Sequence, residues 1–150
     1  MKSIILAAAL MLTAGTAMAD THTELDVVTY STDQSFDDVV FGLENAILDE
    51  GLVIESTSHT GAMLERTKAD VGSDVTIFTA ADVYSFCSAA LSRKVMEADP
   101  MNIRFCPYDI FVMQQPGQDV VIGYRSFPQG EMQEVQSLLN RITKSAIGIE

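Results

Sequence analysis

The stretch that decides the fold covers residues 108–125, YDIFVMQQPGQDVVIGYR. Two runs rich in β-favouring side chains, Tyr108 to Gln115 and Val120 to Arg125, flank the tetrapeptide Pro116-Gly117-Gln118-Asp119. Proline, glycine and aspartate are typical of tight turns, because proline presets φ and glycine accepts a left-handed backbone. The stretch is therefore predicted to form a β-hairpin.

Amphipathic helices are predicted on both sides of this hairpin. The helix after it carries apolar residues at helical spacing, namely Met132, Val135, Leu138, Leu139 and Ile142. A helix near the start of the chain begins at Ser35, an N-cap with Asp38 in the first turn, and ends at Gly51. Both helices need an apolar surface to pack against, and the sheet supplies it.

The rest of the chain is predicted to alternate between strands and helices. Further strands are expected at Leu25 to Ser31, Leu52 to Ser58 and Val75 to Ala80. Further helices are expected at Thr60 to Val71 and from about Asp82 to Pro100, the latter with the apolar stripe Val83, Phe86, Cys87, Ala90, Leu91 and Val95. The pattern predicts an α/β (α+β) two-layer sandwich, with one mixed or antiparallel sheet covered by helices.

The first nineteen residues have the features of a secretory signal peptide. Lys2 is followed by the apolar run Ile4 to Leu12, and Ala17-Met18-Ala19 has the small-x-small pattern that precedes cleavage. We expect cleavage after Ala19, export to the periplasm, and a single mature domain over residues 20–150.

The charge of the chain excludes some partners. The formal net charge is -12 at pH 7, which repels nucleic-acid phosphates and anionic lipid surfaces. We therefore expect no nucleic-acid partner and no membrane association after signal cleavage.

The two cysteines, Cys87 and Cys106, are expected to form a disulfide, since an even number in an oxidising compartment favours pairing. Such a bridge would close a loop of about twenty residues and contribute about 3 kcal/mol. The alternative is thiol chemistry, because Cys106-Pro107-Tyr108 is similar to the start of a glutaredoxin-type site. Position 109 is Asp109, so the second cysteine of a C-x-x-C pair is missing.

No catalytic motif is found in the sequence. It lacks a Gly-x-Ser-x-Gly elbow, a glycine-rich phosphate loop and a C-x-x-C-H haem attachment motif. A non-enzymatic role is therefore favoured, and no catalytic residue is predicted.

His59 and Met63 form the main candidate binding site. A helical turn would bring positions four apart onto one side, and imidazole plus thioether suits copper, with Met96 or Met101 as a further ligand. His59 could also serve as a single axial ligand of haem. The alternative is that Met63 fills space in the core and His59 lies at a strand end.

A second candidate copper site would arise only after cleavage. The new amino terminus, Asp20-Thr21-His22, offers an amine, two backbone nitrogens and an imidazole in a square plane.

Several segments resemble one family. They are Phe86 to Arg93, Met96 to Pro100, Asn102-Ile103, Phe105 to Tyr108, His59 to Thr67 and Val121 to Arg125. Together they resemble an exported, two-cysteine subgroup of the domain of unknown function 302 family. The resemblance implies a two-layer α/β fold, often dimeric, and no settled activity. The subgroup pattern includes His59, Met63, Cys87 and Cys106.

Three hypotheses follow. The first is a periplasmic binding or accessory module that holds a small ligand, copper or haem near His59 and Met63. The second is a thiol-disulfide or electron-transfer accessory protein that uses Cys87 and Cys106 with a redox or metal-handling partner. The third is a homodimer that supports another exported complex.

Overall fold

A computed structural model describes residues 27–149 of the chain. The predicted signal peptide and the candidate copper site at Asp20, Thr21 and His22 lie outside these residues. The elements are β1 (Val27–Thr32), α1 (Phe36–Asp49), β2 (Ile54–Ser58), α2 (Thr60–Thr67), β3 (Ala80–Phe86), α3 (Ala89–Ala98), a 3₁₀ helix (Pro100–Phe105), β4 (Tyr108–Gln114), β5 (Val120–Arg125) and α4 (Met132–Ala146).

The five strands form one antiparallel sheet in the order β1-β5-β4-β3-β2. Helix α1 connects the two edge strands, and α4 packs beside it on the same face of the sheet. The predicted hairpin is confirmed as β4 and β5, and the predicted α+β sandwich is confirmed as one sheet covered by helices. None of the helices within residues 27–149 is long and apolar enough to cross a membrane.

The core lies between the sheet and the two long helices. Alternate residues of the central strands point toward the helices, because side chains in a strand alternate between the two faces. The buried residues on this face are Tyr84, Phe86, Tyr108, Ile110, Val112, Val120, Ile122 and Tyr124. Burial of apolar surface here is the main stabilising contribution, at about 25 cal/mol per Å².

The two covering helices form where the sequence predicts them. The Ser35 hydroxyl accepts a hydrogen bond from the Asp38 backbone N–H (3.1 Å), which caps the start of α1. The backbones of α1 and α4 approach closely at Gly42, where a Cβ atom would lie 2.1 Å from the Ala146 carbonyl oxygen. Only glycine fits that crossing.

The connections lie at two opposite ends of the sheet. We call the end that holds the β4–β5 turn the hairpin end; β3 begins there, and β2 leads into α2 there. We call the other end the cysteine end; there α3 and the 3₁₀ helix connect Phe86 of β3 to Tyr108 of β4.

Two predictions around β3 are wrong. The third strand is Ala80–Phe86 rather than Val75 to Ala80, and the following helix begins at Ala89 rather than near Asp82. Tyr84 and Phe86 are buried by strand alternation against β4, although the apolar spacing of this segment also fits a helix. Pairing with neighbouring strands decides between these patterns, since β-propensity depends strongly on context. Cys87 consequently follows β3 instead of lying in the apolar stripe of a helix.

Helix α2 is shorter than predicted and ends at Thr67. The twelve residues between α2 and β3 form an irregular connection over residues 68–79, which we call the strap. The backbone N–H of Thr79 donates to the Gln114 carbonyl (2.7 Å), so the end of the strap is attached to β4. Val75 and Ile77 favour strands, but this segment pairs with no strand within residues 27–149.

Candidate functional site

Helix α2 is seated directly on the first residues of β3. Gly61 is buried, and a Cβ atom at this position would lie 2.6 Å from the backbone nitrogen of Ala81. Without a side chain at Gly61, the helix backbone can approach the strand at van der Waals distance. The contact fixes α2 at the hairpin end and leaves its remaining apolar residues facing the strap.

An apolar cavity of about 300 Å³ lies between α2 and the strap. We call it the α2 cleft. Its apolar wall consists of Met63, Leu64, Val71, Val75, Ile77 and Phe78. None of these six side chains belongs to the hydrophobic core between the sheet and helices. Val71, Val75 and Ile77 are 77%, 61% and 47% exposed, so this wall is open to solvent.

Three polar side chains hold the strap against α2. The Lys68 ammonium donates to Glu65 Oε1 (2.5 Å) and to Thr76 Oγ1 (3.0 Å), and the Thr76 hydroxyl donates to Glu65 Oε2 (3.1 Å). The hydrogen bond from Lys68 holds the pKa of the Glu65 carboxyl below its usual range. These contacts connect the helix to the middle of the strap and define the width of the cleft.

His59 lies beside the cleft at the start of α2. Its Nδ1 atom is 2.9 Å from Asp82 Oδ1, and an ionised carboxylate can only accept, so Nδ1 donates. The histidine side chain is 67% exposed and Asp82 is 15% exposed. A carboxylate that accepts from Nδ1–H fixes the orientation of the ring, an arrangement common in histidines that bind a ligand or metal.

His59 and Asp82 line a wider groove of about 740 Å³ at the hairpin end. We call it the His59 groove. Its other walls are the start of α1 at Phe36 and Asp37 and the hairpin turn at Pro116. Gly61, Glu65 and Phe78 line both the groove and the α2 cleft, so the two cavities adjoin.

The negative charge of Asp82 also affects the buried side chain of Tyr84. Burial raises the pKa of the Tyr84 hydroxyl to about 12, and the charges of Asp82 and Glu44 add to this effect. Tyr84 is therefore a neutral core residue, and Asp82 contributes a negative field at the floor of the groove.

The predicted donors are only partly brought together. His59 and Met63 lie on successive turns, with the Met63 backbone N–H donating to the His59 carbonyl (3.0 Å). Met63 is 42% exposed and lines the cleft rather than the core. Met96 and Met101 follow the far end of β3, on α3 and the 3₁₀ helix, so they lie at the cysteine end. Within residues 27–149, no three His, Cys, Asp or Glu side chains converge to hold a metal ion.

The two cysteines meet at the cysteine end. Because Phe86 pairs with Tyr108, the chain brings Cys87 and Cys106 side by side, with 2.8 Å between their Sγ atoms. Burial raises the pKa of the Cys87 thiol to about 12, with further contributions from its contact to Cys106 and the charge of Glu55.

Sequence reasoning missed Asp82, Ile77 and Phe78 as parts of the site. The predicted strand over Val75 to Ala80 hid the strap, and the predicted helix from Asp82 separated that carboxylate from His59. One signal in the sequence could have indicated the strap: Gly72, Ser73 and Asp74 form a turn-rich run after α2.

Comparison with known families decides the classification. The family model described as "Domain of unknown function DUF302" matches residues 28–144. The chain belongs to the DUF302 family. A crystal structure of an uncharacterized conserved DUF302 protein from Bacillus stearothermophilus is similar, with a TM-score of 0.56 and 17% identity. The match covers 80% of this chain and 86% of that chain, and at this identity it supports the fold alone. No protein with a curated description matches the chain.

Proposed function

We propose that this DUF302 protein is an exported, non-enzymatic binding module that holds a small, largely apolar molecule in the α2 cleft. The single observation that carries the proposal is the apolar wall formed by α2 and the strap, which the core does not use. Apolar side chains exposed to water beside a cavity favour occupation, because a ligand removes their surface from solvent.

The size and lining of the cleft support a small organic ligand. Small-molecule sites typically enclose about 300–1,000 Å³, with mostly apolar walls and a few polar groups that fix orientation. The α2 cleft, at about 300 Å³, lies at the lower end of that range. The oriented imidazole of His59 in the adjoining groove supplies a polar group that can hold the other end of the ligand.

The positions of the donors favour an organic ligand over copper or haem. A copper site with two thioethers would need Met96 or Met101 beside His59, but these residues lie at the opposite end of the sheet. Haem carries two propionates, and no arginine or lysine among residues 27–149 lines the His59 groove to pair with them.

A second proposal concerns the cysteines, which we propose form a structural disulfide after export. Their adjacency at the ends of paired strands supports this proposal, since a bridge requires little backbone movement. The raised pKa of Cys87 argues against Cys87 as the attacking thiol in thiol-disulfide exchange, because the thiolate is the reactive form. In this proposal the signal peptide over residues 1–19 delivers the chain to the oxidising periplasm.

The first proposal is tested by calorimetric titration of the exported protein with octanol, a small amphiphile that fits the cleft. We expect saturable binding of one molecule per chain. Ile77→Asp places a carboxylate in the apolar wall and should weaken binding at least tenfold.

Val53→Asp is the matched control. Val53 is also an exposed β-branched residue, 71% accessible, but lies between α1 and β2, outside the cleft. Its variant should bind octanol like the wild type. The proposal fails if octanol does not bind, or if the two variants lose affinity equally.

A further inference from the structure

The ionisable groups around the adjoining cavities are mostly acidic. Asp37, Glu65 and Asp82 line the His59 groove, together with His59 itself. The α2 cleft adds Lys68 and shares Glu65 with the groove. These carboxylates lie at the mouth of an apolar cavity, so they can determine which polar group a bound amphiphile carries.

Among the described residues, the one ammonium that lines the two cavities already has hydrogen-bond partners. Lys68 donates to both Glu65 and Thr76, and this pairing neutralises the Glu65 charge. A ligand anion could bind Lys68 only by breaking the contacts that hold the strap on α2. An anionic ligand therefore finds no available cationic side chain along the groove.

Two carboxylates in the His59 groove have oxygen atoms that can still accept hydrogen bonds from a ligand. Asp82 uses Oδ1 for His59, and no protein hydrogen bond occupies its Oδ2 among the described residues. Asp37 makes no salt bridge within residues 27–149, although the positive end of the α1 dipole offsets part of its charge. Because carboxylates form strong charge-assisted hydrogen bonds with ammonium groups, the groove presents two acceptors to a cation.

We infer that the α2 cleft and the His59 groove together select a cationic amphiphile, an alkyl or aryl chain that ends in an amine. The apolar chain occupies the cleft beside Ile77 and Phe78, and the ammonium lies in the groove near Asp82 and Asp37. The net charge of -12 also raises the local concentration of cations around the protein. This inference rests on the proposed function, because it assumes that the cleft holds a ligand.

Three probes with the same alkyl chain test the inference. Octylammonium, octanol and nonanoate differ in charge but share the octyl chain that would enter the cleft. At low salt we expect octylammonium to bind about three- to tenfold more tightly than octanol, and nonanoate to bind more weakly than both. Added salt should reduce the affinity for octylammonium and leave that for octanol nearly unchanged.

Variants identify the carboxylates responsible. Asp82→Asn and Asp37→Asn should each reduce the preference for octylammonium over octanol about two- to fivefold, because each removes one charge from the groove. Glu97→Gln is the control; it removes one exposed carboxylate on α3 at the cysteine end, and the preference should not change.

The outcomes separate this inference from the function on which it rests. If octanol binds and octylammonium binds no more tightly, the inference is overturned while the binding module stands. If Glu97→Gln lowers the preference as much as Asp82→Asn, the effect is one of net charge and the inference is also overturned. If no probe binds, the proposed function itself fails.

Discussion

The two apolar regions of this protein differ in what their side chains contact. Between the sheet and helices α1 and α4, residues such as Leu43 and Ile122 have no exposed surface. Between α2 and the strap, residues of the same chemical type remain about half or more exposed, including Ile77 and Val75. The first region stabilises the fold through burial, whereas the second leaves apolar surface open to solvent, where the proposed ligand would cover it.

The largest expected difference between these regions is in stability. Ile122→Ala removes fully buried methyl groups and should lower the free energy of unfolding by about 2–5 kcal/mol. Ile77→Ala makes the same chemical change in the strap and should cost less than about 1 kcal/mol. Urea unfolding followed by circular dichroism measures both variants. Equal losses in the free energy of unfolding would show that Ile77 is packed as tightly as the core, and the two apolar regions would then not differ.

The proposed disulfide should affect stability without affecting binding. Reduction of the wild type should lower the free energy of unfolding by about 3 kcal/mol, because a loop of about twenty residues is released. The affinity for octanol should stay the same, since the cysteines and the α2 cleft lie at opposite ends of the sheet.

The double variant Cys87→Ser/Cys106→Ser is the control for this measurement. Its stability should match that of the reduced wild type and should not respond to reductant. A wild type whose unfolding is equally insensitive to reductant would contradict the structural disulfide.

The substitution Gly61→Ala is expected to lower stability by a smaller amount and to weaken binding clearly. The new Cβ of Gly61→Ala would meet the Ala81 backbone nitrogen at 2.6 Å, so α2 must move away from β3. We expect a loss of about 1–3 kcal/mol in stability and a weaker affinity for octanol, measured by the same titration.

Gly148→Ala is the comparison for Gly61→Ala. Gly148 has a φ of +73° after α4 and no neighbour near its missing Cβ, so alanine there costs about 1–2 kcal/mol through backbone strain. Its affinity for octanol should be unchanged. If both variants bind octanol normally, the seating of α2 on β3 does not shape the cleft.

The sequence predicted those parts of the fold in which local pattern and tertiary packing agree. Helix α1 has an N-cap at Ser35, both α1 and α4 have regular apolar spacing, and the β4–β5 hairpin has a strong turn signal, so all three were located correctly. At β3 the pattern was ambiguous, because Val83 and Phe86 fit helical spacing although the segment pairs with two strands. Such pairing joins residues distant in sequence, which a local pattern does not contain.

The same limit explains which parts of the site were predicted. His59 and Met63 were identified because they lie one helical turn apart, a local relation. The contact between His59 and Asp82 spans 23 positions and depends on the register of β2 with β3. The apolar wall of the cleft depends on a strap without regular structure, so Ile77 and Phe78 were assigned to a strand instead.

The central claim is that the α2 cleft, and not another surface, holds the ligand. The most direct test is a titration of the isotope-labelled exported protein with octylammonium, followed by backbone amide NMR shifts. We predict saturable shifts concentrated in α2, the strap, the first residues of β3 and the start of α1 around Asp37, with the cysteine end unchanged. Shifts spread over the face of the sheet opposite α1 and α4, or shifts that do not saturate, would contradict the proposed site.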